Sequence, residues 1–313
     1  MNHNEDLAIL DIAIEEVKND MTLPVSISPK PRSLLVFFLL AFGISWIVWI
    51  PAALASHGLL SFQLSPSATS LLGAFGPSTA ALITTGVYDG KAGFRSLLRR
   101  LLTWRVGLQW YLFVLFWPAL LSLAKTALAV LLGSSVPDFA QPPFVHLYPL
   151  PPELSNANPL LFLPFVFLQQ TLIGSSMGEE MGWRGYALPR LEAYRSALHA
   201  GVALGIVWGV WHLPLWLTKG YPLADEFFGW TLLGIVADSV LFVWVYNNTK
   251  GSLLLALLFH TSIAVTGLFL SSAGPSVPIG LALNWGVVIF IIVAFGSEYL
   301  SHEATAAAES SVR

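Results

Sequence analysis

The sequence predicts an all-α membrane protein, a polytopic helical bundle of about eight transmembrane helices, on three observations. Of its 313 residues, 55% are hydrophobic and only 11% charged, far below the roughly one-quarter charged share of soluble domains. Eight apolar stretches approach the roughly 20 helical residues that a hydrocarbon core about 30 Å thick requires. The basic residues between those stretches fall in alternate loops, as the preference of Lys and Arg for the cytoplasmic face demands.

Residues 1–32 form an N-terminal tail that opens on acid, with Glu5, Asp6, Asp11, Glu15 and Glu16. That is the reverse of a signal peptide's positive start, and no small-residue cleavage site follows the first apolar run, so the first span is expected to be retained. Leu7, Leu10, Ile14 and Val17 recur at helical spacing before Pro24, Pro29 and Pro31 end the pattern. A solvated acidic tail is preferred there over a short amphipathic helix.

The expected spans cover 33–56, 68–87, 108–133, 165–188, 197–217, 229–247, 252–271 and 278–296. The fourth carries Glu179, Glu180 and Arg184, which makes it the informative one. Lys18, Lys30 and Arg32 precede span one, and Lys91, Arg95, Arg99, Arg100 and Arg105 separate two from three. Arg190 and Arg195 follow span four, Lys250 follows span six, and the opposite loops hold Lys219 alone. Both termini are therefore expected in the cytoplasm and the chain in the plasma membrane.

The formal net charge of -3 comes with no clustered basic face, so a nucleic acid partner is not expected. Cysteine is absent, which removes a thiol nucleophile, a zinc ribbon and any disulfide framework. Lys125 stands late in span three, where its stem can snorkel to the interface. Asp238 stands near the middle of span six, and a buried structural hydrogen bond is favoured there over a catalytic role. Prolines 51, 77, 118 and 214 fall inside spans and predict kinks. No internal repeat supports a transporter built on inverted halves.

Chemistry gathers in three segments. In Gly178-Glu179-Glu180-Met181-Gly182-Trp183-Arg184, read as helix, Glu180 and Arg184 share a face at i, i+4 while Glu179 turns about 100° away. One carboxylate can then pair with the arginine and leave the other for work. His212 follows Trp208-Gly209-Val210-Trp211, and His260 follows Leu257-Leu258-Phe259. Counted at 1.5 Å per residue from the cytoplasmic face, His212 lies about 22 Å deep and His260 about 14 Å. Glu179 lies about 15 Å deep, provided that span four runs to Leu188 before Pro189 stops it. A lone histidine in an apolar helix is more often a packing residue. Two Glu, one Arg and two His at one depth in lipid are not, since each buried without purpose costs several kcal/mol.

Peptide hydrolysis needs a base for water and donors for the oxyanion, which buried glutamate and imidazole supply. Glu179, His212 and His260 could equally hold Zn2+ with an open position for water, so zinc and metal-free mechanisms both remain open. The His-Glu-x-x-His signature is absent. Gly174-Ser175-Ser176 reads as small residues that let helices approach closely rather than as a serine nucleophile. Asn247-Asn248-Thr249 fits a glycosylation sequon, but its cytoplasmic placement argues against use.

At these residues the chain resembles the CPBP or Abi family, the CAAX-processing and bacteriocin-processing intramembrane proteases related to type II CAAX prenyl proteases. Glu179, Glu180 and Arg184 match its Glu-Glu-x-x-x-Arg motif. His212 matches the histidine of Phe-x-x-x-His, with Trp208 in place of phenylalanine, and Asn248 through His260 looks like the third segment. Ala264 stands where the family has asparagine. The resemblance implies a catalytic core over 160–271, between helices one to three with their loops (33–159) and a last helix with its tail (272–313). It implies Glu179 as general base, Glu180 and Arg184 as its orienting pair, His212 as a second hold on the water and His260 as oxyanion stabiliser. It also implies a membrane-associated peptide or protein substrate, CAAX-type and lipidated at its C-terminus. The alternatives are a weakly active or inactive membrane protein serving bacteriocin immunity or scaffolding, and a proton-coupled transporter using Asp238.

Overall fold

The computed structural model describes residues 31–61, 64–147, 152–154, 157–221, 224, 227–270 and 276–302. The acidic tail expected over 1–32 lies almost entirely outside the described residues. Among those described, every regular element is a helix, and the expected all-α membrane bundle is what they form.

The elements follow the hydropathy pattern in order. Helix α1 runs Pro31–Ser56, and the second span divides into α2 (Pro66–Ala74) and α3 (Gly76–Tyr88). A short amphipathic helix, α4 (Gly90–Leu101), leads to α5 (Leu108–Leu131) and a single turn α6 (Pro143–Leu147). The fourth span consists of α7 (Leu163–Ile173), α8 (Ser175–Gly182), a π-helical turn over Trp183–Ala187 and α9 (Leu188–Glu192). Then come α10 (Ala197–Trp211), α11 (Leu213–Trp216), α12 (Phe228–Asn248), α13 (Leu253–Phe269) and α14 (Ser276–Phe295). Six of the expected spans are long and apolar enough to cross a bilayer, whereas α10 and α13 are shorter apolar helices. Pro51 and Pro118 lie inside helices, while Pro77 and Pro214 fall just after interruptions.

Span four departs from the continuous helix expected over 165–188. Gly174, with ψ near -166°, breaks it ahead of Ser175. Pro189 does not stop it, for the chain stays helical to Glu192. Two adjustments let it pass the proline. The amide of Leu188 reaches back five residues to the Trp183 carbonyl, widening the turn ahead of the ring. The Gly185 carbonyl, four residues before Pro189 and so denied its usual amide, accepts from Arg100 Nη1 at 3.0 Å.

Small residues set how closely helices approach, at Ser176 and more tightly at two glycines beyond it. A Cβ on Gly178 would stand 2.6 Å from the Ala74 carbonyl oxygen, and one on Gly182 2.5 Å from that of Pro77. This Gly-x-x-x-Gly face presses α8 onto the broken second span, and Ser78 Oγ donates to the Met177 carbonyl across the seam at 2.7 Å. Gly201 and Gly205 do the same for α10 against Val240 and Val236 of α12. With its back against α2 and α3, α8 turns its carboxylates toward α10 and α13.

At the end of the bundle where α3, α9 and α12 finish, polar bonds fasten the helices together. Arg190 pairs with Asp89 at 2.5 Å and donates to the Tyr186 carbonyl, and its guanidinium lies 3.6 Å from the Tyr186 ring centroid. Asn247 of the sequon donates to Glu192 and to the Tyr299 carbonyl. Within the membrane, the Lys125 stem packs on Gly280. Asp238 accepts from Asn284 Nδ2 at 2.7 Å, the structural bond favoured for it.

Candidate active site

Four elements bring the five motif residues into one region. Glu180 sits at the heart of it, fully buried. Its Oε1 accepts from Arg184 Nη1 at 2.9 Å, the expected i, i+4 pair, and lies 2.7 Å from His260 Nδ1. As the carboxylate can only accept, Nδ1 carries the proton, and this fixes the His260 ring with Nε2 facing away from Glu180.

Nε2 then faces the second glutamate. It is 3.9 Å from Glu179 Oε1 and 3.4 Å from Ser175 Oγ. The first separation is too long for a direct hydrogen bond and matches the reach of a water that contacts both atoms. The other Glu179 oxygen, Oε2, accepts from Trp208 Nε1 at 2.6 Å. One carboxylate is thus committed to the arginine and histidine, and the other keeps an oxygen toward the imidazole.

Arg184 completes the support. It is fully buried, and its guanidinium carbon lies 4.3 Å from the Trp208 ring centroid and 3.8 Å from that of Phe242. Aromatic faces compensate a cation that lipid would not tolerate.

His212 caps the C-terminus of α10, and its Nδ1 donates to the Trp208 carbonyl at 2.9 Å. That bond leaves Nε2 as an acceptor. The ring is held among Trp49, Trp208 and Trp211, with centroids 6.2, 6.0 and 4.7 Å away. Trp208 also packs against His260, whose ring centroid is 5.7 Å from the indole. Among the described residues, His212 therefore joins the cluster through Trp208 rather than by a direct bond to either carboxylate.

Trp208 is the member that motif reading passed over, being noted only as a replacement for phenylalanine. Its indole N–H binds one glutamate, its carbonyl orients one histidine, and its face covers the arginine. The available signal was chemical, since an indole carries a donor that a phenyl ring lacks. Ser175 and Ser176 do more than let helices approach: Ser175 meets His260, and Ser176 Oγ lies 2.9 Å from Thr261 Oγ1, tying α8 to α13 one residue beyond the histidine. Ser262 Oγ donates within its own helix to the Leu258 carbonyl.

Among the described residues no three His, Asp or Glu side chains are arranged to hold an ion. His260 Nδ1 is taken by Glu180, and Glu179 Oε2 by Trp208. That leaves His260 Nε2 and Glu179 Oε1 as the atoms of this pair that face each other, 3.9 Å apart.

Fold and site together define a polytopic helical membrane protein with a carboxylate and imidazole centre buried between its helices. Residues 158–266 match the family profile described as type II CAAX prenyl endopeptidase Rce1-like, which bears out the resemblance carried by the motifs. Over 105 residues the chain is 31% identical to CAAX prenyl protease 2 of Methanococcus maripaludis, covering 32% of this chain and 38% of that protein. The match thus spans well under half the length of the curated relative.

Proposed function

We propose that this protein is an intramembrane endopeptidase that cleaves membrane-associated substrates of the CAAX type, lipidated near their C-termini. The observation that carries the reading is the gap between Glu179 Oε1 and His260 Nε2, 3.9 Å wide and walled by buried partners. Similarity to a CAAX prenyl protease over the segment holding both residues supports the substrate class.

In this reading Glu179 takes a proton from a water lying between it and His260, with His212 Nε2 as a second acceptor. The water oxygen bonds to the scissile carbonyl carbon, and the carbonyl π pair moves onto oxygen. His260 donates to that oxyanion from a protonated Nε2 while Nδ1 stays on Glu180, whose carboxylate balances the imidazolium charge. Collapse restores the carbonyl and breaks the C–N bond, and the proton held by Glu179 passes to the leaving amine. Glu180 and Arg184 hold the histidine in place without touching substrate. Every step uses the chain's own groups, and the cytoplasmic orientation of both termini would present the site to prenylated cytoplasmic proteins.

Ala264 favours a second reading, a weakly active or inactive protein serving immunity or scaffolding. It removes an amide donor from the helix that carries His260, and one such donor is worth about 100-fold or more in rate. Cleavage of a prenylated CAAX peptide by the reconstituted chain separates the two. The protease reading expects release of the C-terminal tripeptide, lost in Glu179→Ala and in His212→Ala. Activity unchanged in both variants, or absent in the parent, contradicts it.

A further inference from the structure

Several hydroxyls buried in these spans satisfy themselves on their own helix. Thr84, Thr171 and Ser262 each donate to the carbonyl four residues back, at 2.7, 2.8 and 2.8 Å. Ser175 does not. It is the first residue of α8, so no turn of that helix precedes it, and the chain is extended at Gly174 just before it. Among the described residues its Oγ has one hydrogen-bond partner, His260 Nε2 at 3.4 Å.

Register brings Ser175 to the gap already described. Ser175 and Glu179 stand at i, i+4 on one face of α8, and both meet the same imidazole nitrogen, Oγ at 3.4 Å and Oε1 at 3.9 Å. His260 Nδ1 holds its proton toward Glu180, so Nε2 of the neutral ring accepts and the Ser175 hydroxyl is the donor. A separation of 3.4 Å is at the long limit of a hydrogen bond, so this hydroxyl is weakly held and can turn about its C–O bond. Once Nε2 carries a proton, as the proposed hydrolysis requires, it no longer accepts, and the hydroxyl is released to another acceptor. Two donors 3.4 Å apart leave room for one oxygen about 2.8 Å from each.

We infer that Ser175 is a further catalytic residue, whose hydroxyl donates a hydrogen bond to the oxyanion beside the protonated Nε2 of His260. The inference rests on the protease reading and adds a second donor to it. No bond to Ser175 forms or breaks. The hydroxyl keeps its proton and turns from the imidazole to the carbonyl oxygen as negative charge develops there. It exchanges a long bond to a neutral nitrogen for one to a charged oxygen, so its contribution grows from ground state to transition state, which is the condition for accelerating a reaction. Ser176 cannot share the task, because its Oγ is engaged by Thr261 Oγ1 at 2.9 Å.

The test uses the reconstituted full chain with a prenylated CAAX peptide and with its phosphinate analogue, in which a tetrahedral anionic group replaces the scissile amide. In Ser175→Ala, kcat should fall about tenfold or more, the worth of a hydrogen bond to a charged group, with KM within about twofold of the parent. The analogue should bind more weakly by a similar factor. Ser175→Thr keeps the hydroxyl and should stay within about threefold of the parent. Ser175→Ala made in the His260→Ala chain should weaken analogue binding again, because a donor that touches the oxyanion keeps its share without the imidazole. Parent-like constants in Ser175→Ala, a loss confined to KM, a threonine variant as weak as the alanine one, or no further loss in the His260→Ala chain overturns the inference and leaves the protease reading standing. A parent chain that cleaves nothing overturns both. Ser175→Gly repeats the comparison should the alanine variant fail to assemble.

Discussion

Two buried carboxylates in this bundle face lipid's cost in different ways. Asp238 of α12 accepts from Asn284 of α14, a single bond between two helices. Glu179 of α8 also accepts one strong bond, from Trp208, but its other oxygen is held 3.9 Å from an imidazole whose opposite nitrogen is already fixed. Burial is common to both, so burial alone does not mark a working site. What distinguishes Glu179 is that its second oxygen faces an imidazole nitrogen across a gap, with the ring's other nitrogen fixed by Glu180.

Substitutions can break that contrast. Glu179→Gln preserves shape and the acceptor for Trp208 but removes the base. Peptide cleavage should fall about a thousandfold, within the range of general-base contributions, with thermal unfolding in detergent nearly unchanged. Trp208→Phe restores the ring found in the family motif and removes the indole N–H that binds Glu179, with a smaller aromatic face left over Arg184. A hydrogen bond to a charged group is worth about 1.5–3 kcal/mol, so kcat should drop roughly tenfold or more, with KM little changed. A rise in KM alone would assign Trp208 to substrate binding instead. Ala264→Asn supplies the missing amide, and kcat should rise about tenfold if a vacant donor position limits the oxyanion step. No gain would mean that His260 suffices. Asp238→Asn keeps the pairing with Asn284 by amide rotation and should leave cleavage within about twofold. A large loss there would erase the difference between the two carboxylates.

Most of the bundle was legible because lipid imposes it. A helix in hydrocarbon must be apolar and near span length, so hydropathy located each one, and i, i+4 geometry correctly paired Glu180 with Arg184. Depth counting brought Glu179 and His260 to one level because span four ends, and span seven begins, at the same face. The rest depends on tertiary contacts that no local pattern encodes. Pro189 should have ended span four, but Arg100, 85 residues earlier, satisfies the carbonyl it leaves unpaired. The close helix approach expected at Gly174-Ser175-Ser176 occurs at Ser176 against Thr261, but the tightest contacts fall at Gly178 and Gly182, because that is where the backbone of the broken second span passes. Trp208 could be seen to replace phenylalanine, but its donor became meaningful only once α8 lay opposite α10.

The role of Glu179 is tested most directly by following oxygen-18 from solvent in a single turnover of the reconstituted protein on a prenylated CAAX peptide. If Glu179 activates water, one labelled oxygen enters the new carboxyl terminus of the product, none enters Glu179, and Glu179→Gln yields no labelled product. Label in the Glu179 side chain, or labelled product formed by Glu179→Gln at the parent rate, would contradict the account.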